Sequence, residues 1–200
     1  QSSPLVMRII GAVALAHLIN DLIQAVLPSI YPLLKAKYDL TFTQIGLITL
    51  TFQLTASLLQ PWVGYYTDRH PNPLLLPAGM VCTLVGILML SAVGSFPLIL
   101  LAAALVGVGS STFHPEASRV ARLASGGRYG LAQSTFQVGG NAGSAFGPLL
   151  AAAIIIPFGQ GNVAWFGLFA LFAIGLLYVI SRWYRNHLNL FKLKAGQKAT

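Results

Sequence analysis

The chain reads as an all-α membrane protein of six transmembrane helices, and three observations predict this. Only 8% of the 200 residues are charged and 56% are hydrophobic, whereas a soluble domain carries roughly 25% charged residues. Most of the surface must therefore face lipid. Six apolar runs are each long enough to cross a bilayer, which takes about 20 residues of helix. Lys and Arg gather in alternate loops, the pattern that sets orientation in a membrane. The net charge of +8 and pI near 10.0 would suggest nucleic acid in a soluble protein. Here the basic residues sit between apolar runs, so the lipid bilayer is the expected partner and nucleic acid is not.

The first span is expected over 9–34, bounded by Arg8 and Lys35. A basic residue before an apolar run resembles a signal peptide, but this run is too long and carries His17 and Asp21, so it reads as a retained helix. The second span, 43–67, ends at Asp68-Arg69-His70-Pro71. From Leu74 to Phe113 the only ionisable side chain is Cys82, and Gly94-Ser95-Phe96-Pro97 divides this stretch into a third span, 74–94, and a fourth, 97–123. The fifth, 129–157, stops at the turn-rich Phe158-Gly159-Gln160-Gly161-Asn162, and the sixth covers 163–184. Residues 186–200 are expected to be a basic cytoplasmic tail or a linker to a following half. Lipid offers backbone N–H and C=O groups no partners, so each span must be helical. With the N-terminus cytoplasmic, Arg8, Arg69, Arg119, Arg122, Arg128, Arg182, Arg185, Lys192, Lys194 and Lys198 lie inside, against Lys35 and Lys37 outside. That bias predicts both termini in the cytoplasm.

An internal repeat is present. Gly46-Leu47-x-x-x-Thr51-Phe52-Gln53 recurs 84 residues later as Gly130-Leu131-x-x-x-Thr135-Phe136-Gln137. The second and fifth spans cross the membrane in opposite directions, so the six helices are expected to form an inverted three-plus-three repeat.

Polar residues inside the spans are the candidates for chemistry, because an ionisable group in lipid is costly and usually faces a cavity or a partner. His17, Asn20, Asp21 and Gln24 fall at i, i+3, i+4 and i+7, on one helix face. Such a stripe either glues helices together or serves transport. Asn and Gln alone would suffice as glue, so the acid argues for transport. In the fourth span, Ser110-Ser111-Thr112-Phe113-His114-Pro115-Glu116 is the second polar cluster. Pro115 withholds an amide hydrogen bond and should loosen the helix, and His114 is of the type that titrates near neutral pH. Glu116 has two readings, an ion pair with Arg119 or Arg122, or proton exchange. At ~1.5 Å rise per residue, His17 and His114 reach similar depths, slightly to the cytoplasmic side of Asp21, so the three are expected to line one site. Proton coupling is expected of Asp21, His17 and Glu116, and substrate contact of His114, Asn20 and Gln24. Gln137 and Asn141 share a face of the fifth span and, with Gln53, extend the substrate-binding set. Gly139, Gly143 and Gly147, with Pro148, are expected to pack closely on another helix.

Several signatures are missing. The sequence holds no GxxxxGK[ST] phosphate loop, HExxH or GxSxG, and it has a single cysteine. ATP drive, an enzyme active site, a metal centre and a bound cofactor are therefore not expected.

Gly64-Tyr65-Tyr66-Thr67-Asp68-Arg69 resembles the first part of the major facilitator superfamily signature GxxxDRxGR[RK]. Pro71 stands in place of its later Gly, and Asn72-Pro73 in place of its basic pair. The resemblance implies a cytoplasmic gate role for Asp68 and Arg69. Gly143-x-x-x-Gly147-Pro148-x-x-Ala151-Ala152 resembles the antiporter signature GxxxGPxxGG, with Ala for the last two glycines, and implies efflux by exchange. The fourth-span motif RxxQGxG fits only as Ala103-x-x-Val106-Gly107-x-Gly109. Its Arg is absent, which moves any proton chemistry to Asp21, His17, His114 and Glu116. The stretches His17-Leu18-Ile19-Asn20-Asp21, Leu50-Thr51-Phe52-Gln53, Gly109-Ser110-Ser111-x-Phe113-His114-Pro115-Glu116 and Phe136-Gln137-Val138-Gly139-Gly140-Asn141 resemble antibiotic-exporting members of the family. This implies one half of a major facilitator fold, with protons and a small anionic phosphonate antibiotic as its cargo across a bacterial inner membrane. It also implies a partner for this half, either a C-terminal set of six helices or a second copy. An importer of the same fold, or a non-transporting receptor or scaffold, remain alternative readings.

Overall fold

The computed structural model describes residues 5–197, with side chains to residue 188. Lys198 lies outside the described residues, as do the side chains of Lys192 and Lys194. Six helical spans cover Met7–Tyr38, Phe42–Arg69, Leu75–Ala92, Phe96–Ala124, Tyr129–Phe158 and Gln160–Leu188, and no strand occurs among the described residues.

Local chemistry sets the boundaries. Asp39 adopts a left-handed conformation, φ 50°, and stops the first span. Thr41 starts the second as a capping box, accepting from the Gln44 amide at 3.2 Å while its own amide donates to Gln44 Oε1 at 2.8 Å. Gly159, at φ 88°, turns the chain between the fifth and sixth. The sixth helix starts earlier than the sequence suggests, because Gln160–Trp165 winds as a 3₁₀ turn. Gln160 is buried and donates to the carbonyls of Leu90 and Val93, and its Oε1 accepts from Lys37 and Tyr38. The same helix runs on to Gln197 rather than ending near 184, so 186–197 continues the sixth helix. Neither Pro nor Gly occurs in 186–195 to interrupt it. The fourth span stays helical through Pro115. Regular winding breaks instead at π turns, Leu54–Leu58 in the second span and Ala151–Ile155 in the fifth.

The packing has the expected pseudo-symmetry. The first span lies along the fifth and the fourth along the second. The third packs on the fourth and the sixth on the first, while first meets fourth and third meets sixth. Exchanging each span for the one three places later leaves this set unchanged, as an inverted repeat requires, whereas the fourth span also meets the fifth without a counterpart of like extent between first and second. Individual contacts repeat as well. Gly139 of the fifth span sits on Ala14 of the first, and Thr55, 84 residues before Gly139, sits on Gly107 of the fourth. The second and fifth spans are the least buried of the six. They leave Leu54, Leu58, Trp62, Val138, Phe146 and Leu149 exposed.

Candidate functional site

The site lies where the first, fourth and fifth spans meet. A glycine ladder brings the first and fifth together. A Cβ added at Gly139, Gly143 or Gly147 would overlap the backbone carbonyl of Ala14, Leu18 or Leu22 in turn. Each step of four along one helix matches a step of four along the other, so the two run parallel with backbones in contact, as small residues allow. Pro148 itself is exposed. At this seam Gly140 faces His17 and Asp21, and an added Cβ would crowd the His17 ring and the Asp21 carboxylate.

Asp21 has a histidine on each carboxylate oxygen. His17 Nε2 is 3.3 Å from Oδ2, and His114 Nε2 is 3.3 Å from Oδ1. Both histidines are held from behind. His17 Nδ1 donates to the Phe136 carbonyl at 2.8 Å, and its ring stacks on Phe136 with centroids 4.0 Å apart. His114 Nδ1 donates to the Ser110 carbonyl at 3.0 Å and lies 3.2 Å from the Ser110 hydroxyl. With Nδ1–H committed, a neutral imidazole presents a lone pair at Nε2. A lone pair aimed at a carboxylate oxygen is repulsive, so a proton between the two satisfies each contact. Asn20 and Gln24 add two donors to Asp21 Oδ1, at 3.0 and 3.3 Å. The side chains of His17, Asp21 and His114 are 2%, 18% and 24% exposed, so the cluster is shielded but open on the His114 side. The two Nε2 atoms and a carboxylate oxygen lie within 4.8 Å of one another, the one such His/Asp group found among the described residues. Three converging lone pairs form a receptor for a small cation, and the simplest such cation is the proton.

The other expected site residues lie elsewhere. Glu116 is fully buried but pairs with Arg119 and does not join the cluster. It stands two residues beyond His114, about 200° around the helix, so the two side chains point in nearly opposite directions. Arg119 also bonds the Thr67 carbonyl at 3.0 Å, the Thr67 hydroxyl and the Asp68 carboxylate. Tyr184 is buried against the same group. Arg119 therefore ties the second and fourth spans together, beside Tyr184 of the sixth. Asp68 reaches this network, whereas Arg69 turns back to the Tyr65 carbonyl and stacks over the Tyr65 ring. Gln53, Gln137 and Asn141 are exposed on the second and fifth spans; Gln53 meets Ser57, and Gln137 bonds Asn141. None of the three touches the His–Asp cluster. Sequence reasoning did not find Gly140, the Phe136 and Ser110 carbonyls, or Thr67 and Tyr184. Gly140 alone left a sign, as one of a Gly-Gly pair beside the glycine ladder. A separate apolar recess, lined by Leu15, Leu18, Trp165 and Phe169 among others, offers an anion nothing to bind.

With this geometry in place, the family can be read from comparison. The profile of the Major Facilitator Superfamily matches residues 13–198. The chain belongs to the major facilitator superfamily. Six helices in an inverted repeat are half of a major facilitator fold. The chain is 64% identical over 189 residues to the fosmidomycin resistance protein of Escherichia coli, covering 94% of this chain and 47% of that protein. It is 44% identical over 186 residues to YfnC of Bacillus subtilis, an uncharacterised transporter of the superfamily, covering 93% of this chain and 46% of that one. The chain thus spans about half the length of both major facilitator relatives.

Proposed function

We propose that this chain is the N-terminal half of a proton-coupled antiporter. It exports a small anionic antibiotic of the phosphonate class, such as fosmidomycin, across a bacterial inner membrane, with both termini in the cytoplasm. The observation that carries this reading is the shielded His17–Asp21–His114 cluster inside the spans. A scaffold or receptor gains nothing from three ionisable groups there, whereas an antiporter needs a proton site that reaches a cavity. The identity to a fosmidomycin resistance protein supports the substrate class. His114 is the most exposed member of the cluster, so proton and anionic substrate would compete where it faces the cavity. Asn20 and Gln24 lie on the same face and would complete the contact.

The exposed apolar flanks of the second and fifth spans are the surface for the other half, whether a C-terminal six-helix set or a second copy. Gln53, Gln137 and Asn141 would then face that half across the transport path. Asp68, through Arg119, would form part of the gate at the end of the bundle that holds the N-terminus, with Arg69 beside it.

Two experiments test the reading. Cells carrying the full-length transporter should accumulate less fosmidomycin than cells lacking it, and a protonophore should erase the difference. Greater accumulation in transporter-bearing cells would instead mark an importer. In a functional background without other reactive cysteines, a cysteine replacing Lys37 should label from outside the cell and one replacing Arg128 only after permeabilisation. Labelling of both from one side would contradict the orientation.

A further inference from the structure

The cluster is asymmetric, and its asymmetry assigns the moving proton. His17 is clamped between two spans. Its Nδ1–H is bonded to a carbonyl of the fifth span, its ring is stacked on Phe136, and Gly140 closes off the remaining space. The glycine ladder locks those same two spans backbone to backbone, so His17, Asp21 and the Phe136 carbonyl move as one body. His114 is held differently. Its Nδ1–H bond runs to Ser110 of its own helix, so its ring travels with the fourth span. Its contact with Asp21 is therefore the one that a shift between the first and fourth spans can break. Exposure points the same way, at 24% for His114 against 2% for His17.

Charge accounting completes the argument. A buried carboxylate beside one imidazolium is a neutral pair, stabilised further by the Asn20 and Gln24 donors. A second proton, on His114, makes the shielded cluster net positive, which is costly, so this is the proton that leaves. Among the described residues no other titratable group faces the cluster. Glu116 is turned away onto Arg119, Tyr184 sits with that pair, and the fifth span contributes Phe136 and Gly140.

We infer that His114 is the group that exchanges its proton with the transport path, while His17 and Asp21 remain paired around a second proton that does not leave. The inference rests on the proposed proton exchange and names the group that performs it. In the step itself, His114 takes up a proton at Nε2 from the outer side and docks on the Asp21 carboxylate. That proton passes to water on the inner side, and the anionic substrate binds there and is carried outward before His114 takes up a new proton from the outer side. Asp21 is thus a fixed anion that the carrier docks on between transfers.

The test uses full-length protein labelled with ¹⁵N in its histidine rings, with resonances assigned through His17→Gln and His114→Gln. Over about pH 5 to 8, the range in which histidine ordinarily titrates, the His114 ring should pass from imidazolium to neutral while the His17 ring stays imidazolium. In vesicles, whatever downhill fosmidomycin flux His114→Gln retains should show no response to an imposed pH gradient. His17→Gln should transport several-fold more slowly yet still respond. A His17 ring that titrates while His114 does not would overturn the assignment. So would a pH-gradient response surviving in His114→Gln, an infrared carboxylic-acid band that titrates and vanishes in Asp21→Asn, or stoichiometric zinc in the purified protein. If His17→Gln does not fold, the ring resonances of the parent decide alone. If His114 titrates as expected but transport ignores pH in the parent, the antiport reading fails and the assignment of the exchangeable proton stands.

Discussion

Gly143→Leu leaves the full-length transporter clearly destabilised and resistance lost. A Cβ at Gly143 would overlap the Leu18 carbonyl and crowd the Leu22 amide. Those are backbone atoms of a regular helix and cannot swing aside as a flexible side chain could. The first and fifth spans would have to part, and their separation would pull Phe136 off His17 and open the proton site. Overpacking in a well-filled core costs about 1–3 kcal/mol, and this site lies toward the upper end because no side chain can yield. The control is Gly175→Leu in the sixth span, where nothing lies within 4 Å of the added carbon. Thermal melting in detergent should fall clearly for Gly143→Leu and change little for Gly175→Leu. Equal melting of the two, with resistance intact, would mean that the ladder does not hold the bundle.

Asp21→Asn abolishes proton-driven efflux and leaves the fold intact. The amide keeps the shape of the carboxyl and can still accept at its oxygen from one histidine. Its NH₂ group then faces the other ring, which must become the acceptor. The cluster loses the anion that makes two protonated histidines tolerable, so protonation at neutral pH falls and the antiport cycle has no loaded state. Cells carrying the variant should accumulate fosmidomycin like cells without the transporter, while purified protein melts close to the parent. Full resistance in Asp21→Asn would remove the carboxylate from the mechanism. The neighbouring buried acid, Glu116, is held in its pair with Arg119 and is the weaker alternative.

Much of this architecture was legible in the chain because lipid imposes simple rules. Apolar length and loop charge placed six spans within a few residues, and the Gly46–Gln53 and Gly130–Gln137 repeat announced the pseudo-symmetry. His17 and Asp21 were legible as a pair through their spacing of four, and His114 through a depth estimate that assumed only straight helices. Where sequence reasoning fell short, the missing information concerned neighbouring helices. Periodicity placed Gln137 and Asn141 on one face of the fifth span but could not say what that face meets. Gly140 is indispensable only because the His17 ring approaches from another helix. Arg119 read only as an inside charge or a partner for Glu116, but Thr67, Asp68 and Tyr184, far away in sequence, surround it. The helical extension past 184 could have been foreseen, since charge alone does not end a helix. Glu116 kept two readings in the sequence, and in the structure it pairs with Arg119.

The account stands most directly on the coupled movement of two species. In vesicles reconstituted with the full-length transporter, an imposed proton gradient should drive fosmidomycin uphill in the opposite direction. A fosmidomycin gradient should in turn move protons against its own flow, and neither movement should occur with Asp21→Asn. Fosmidomycin flux without proton movement, or both species moving in the same direction, would contradict antiport through this cluster.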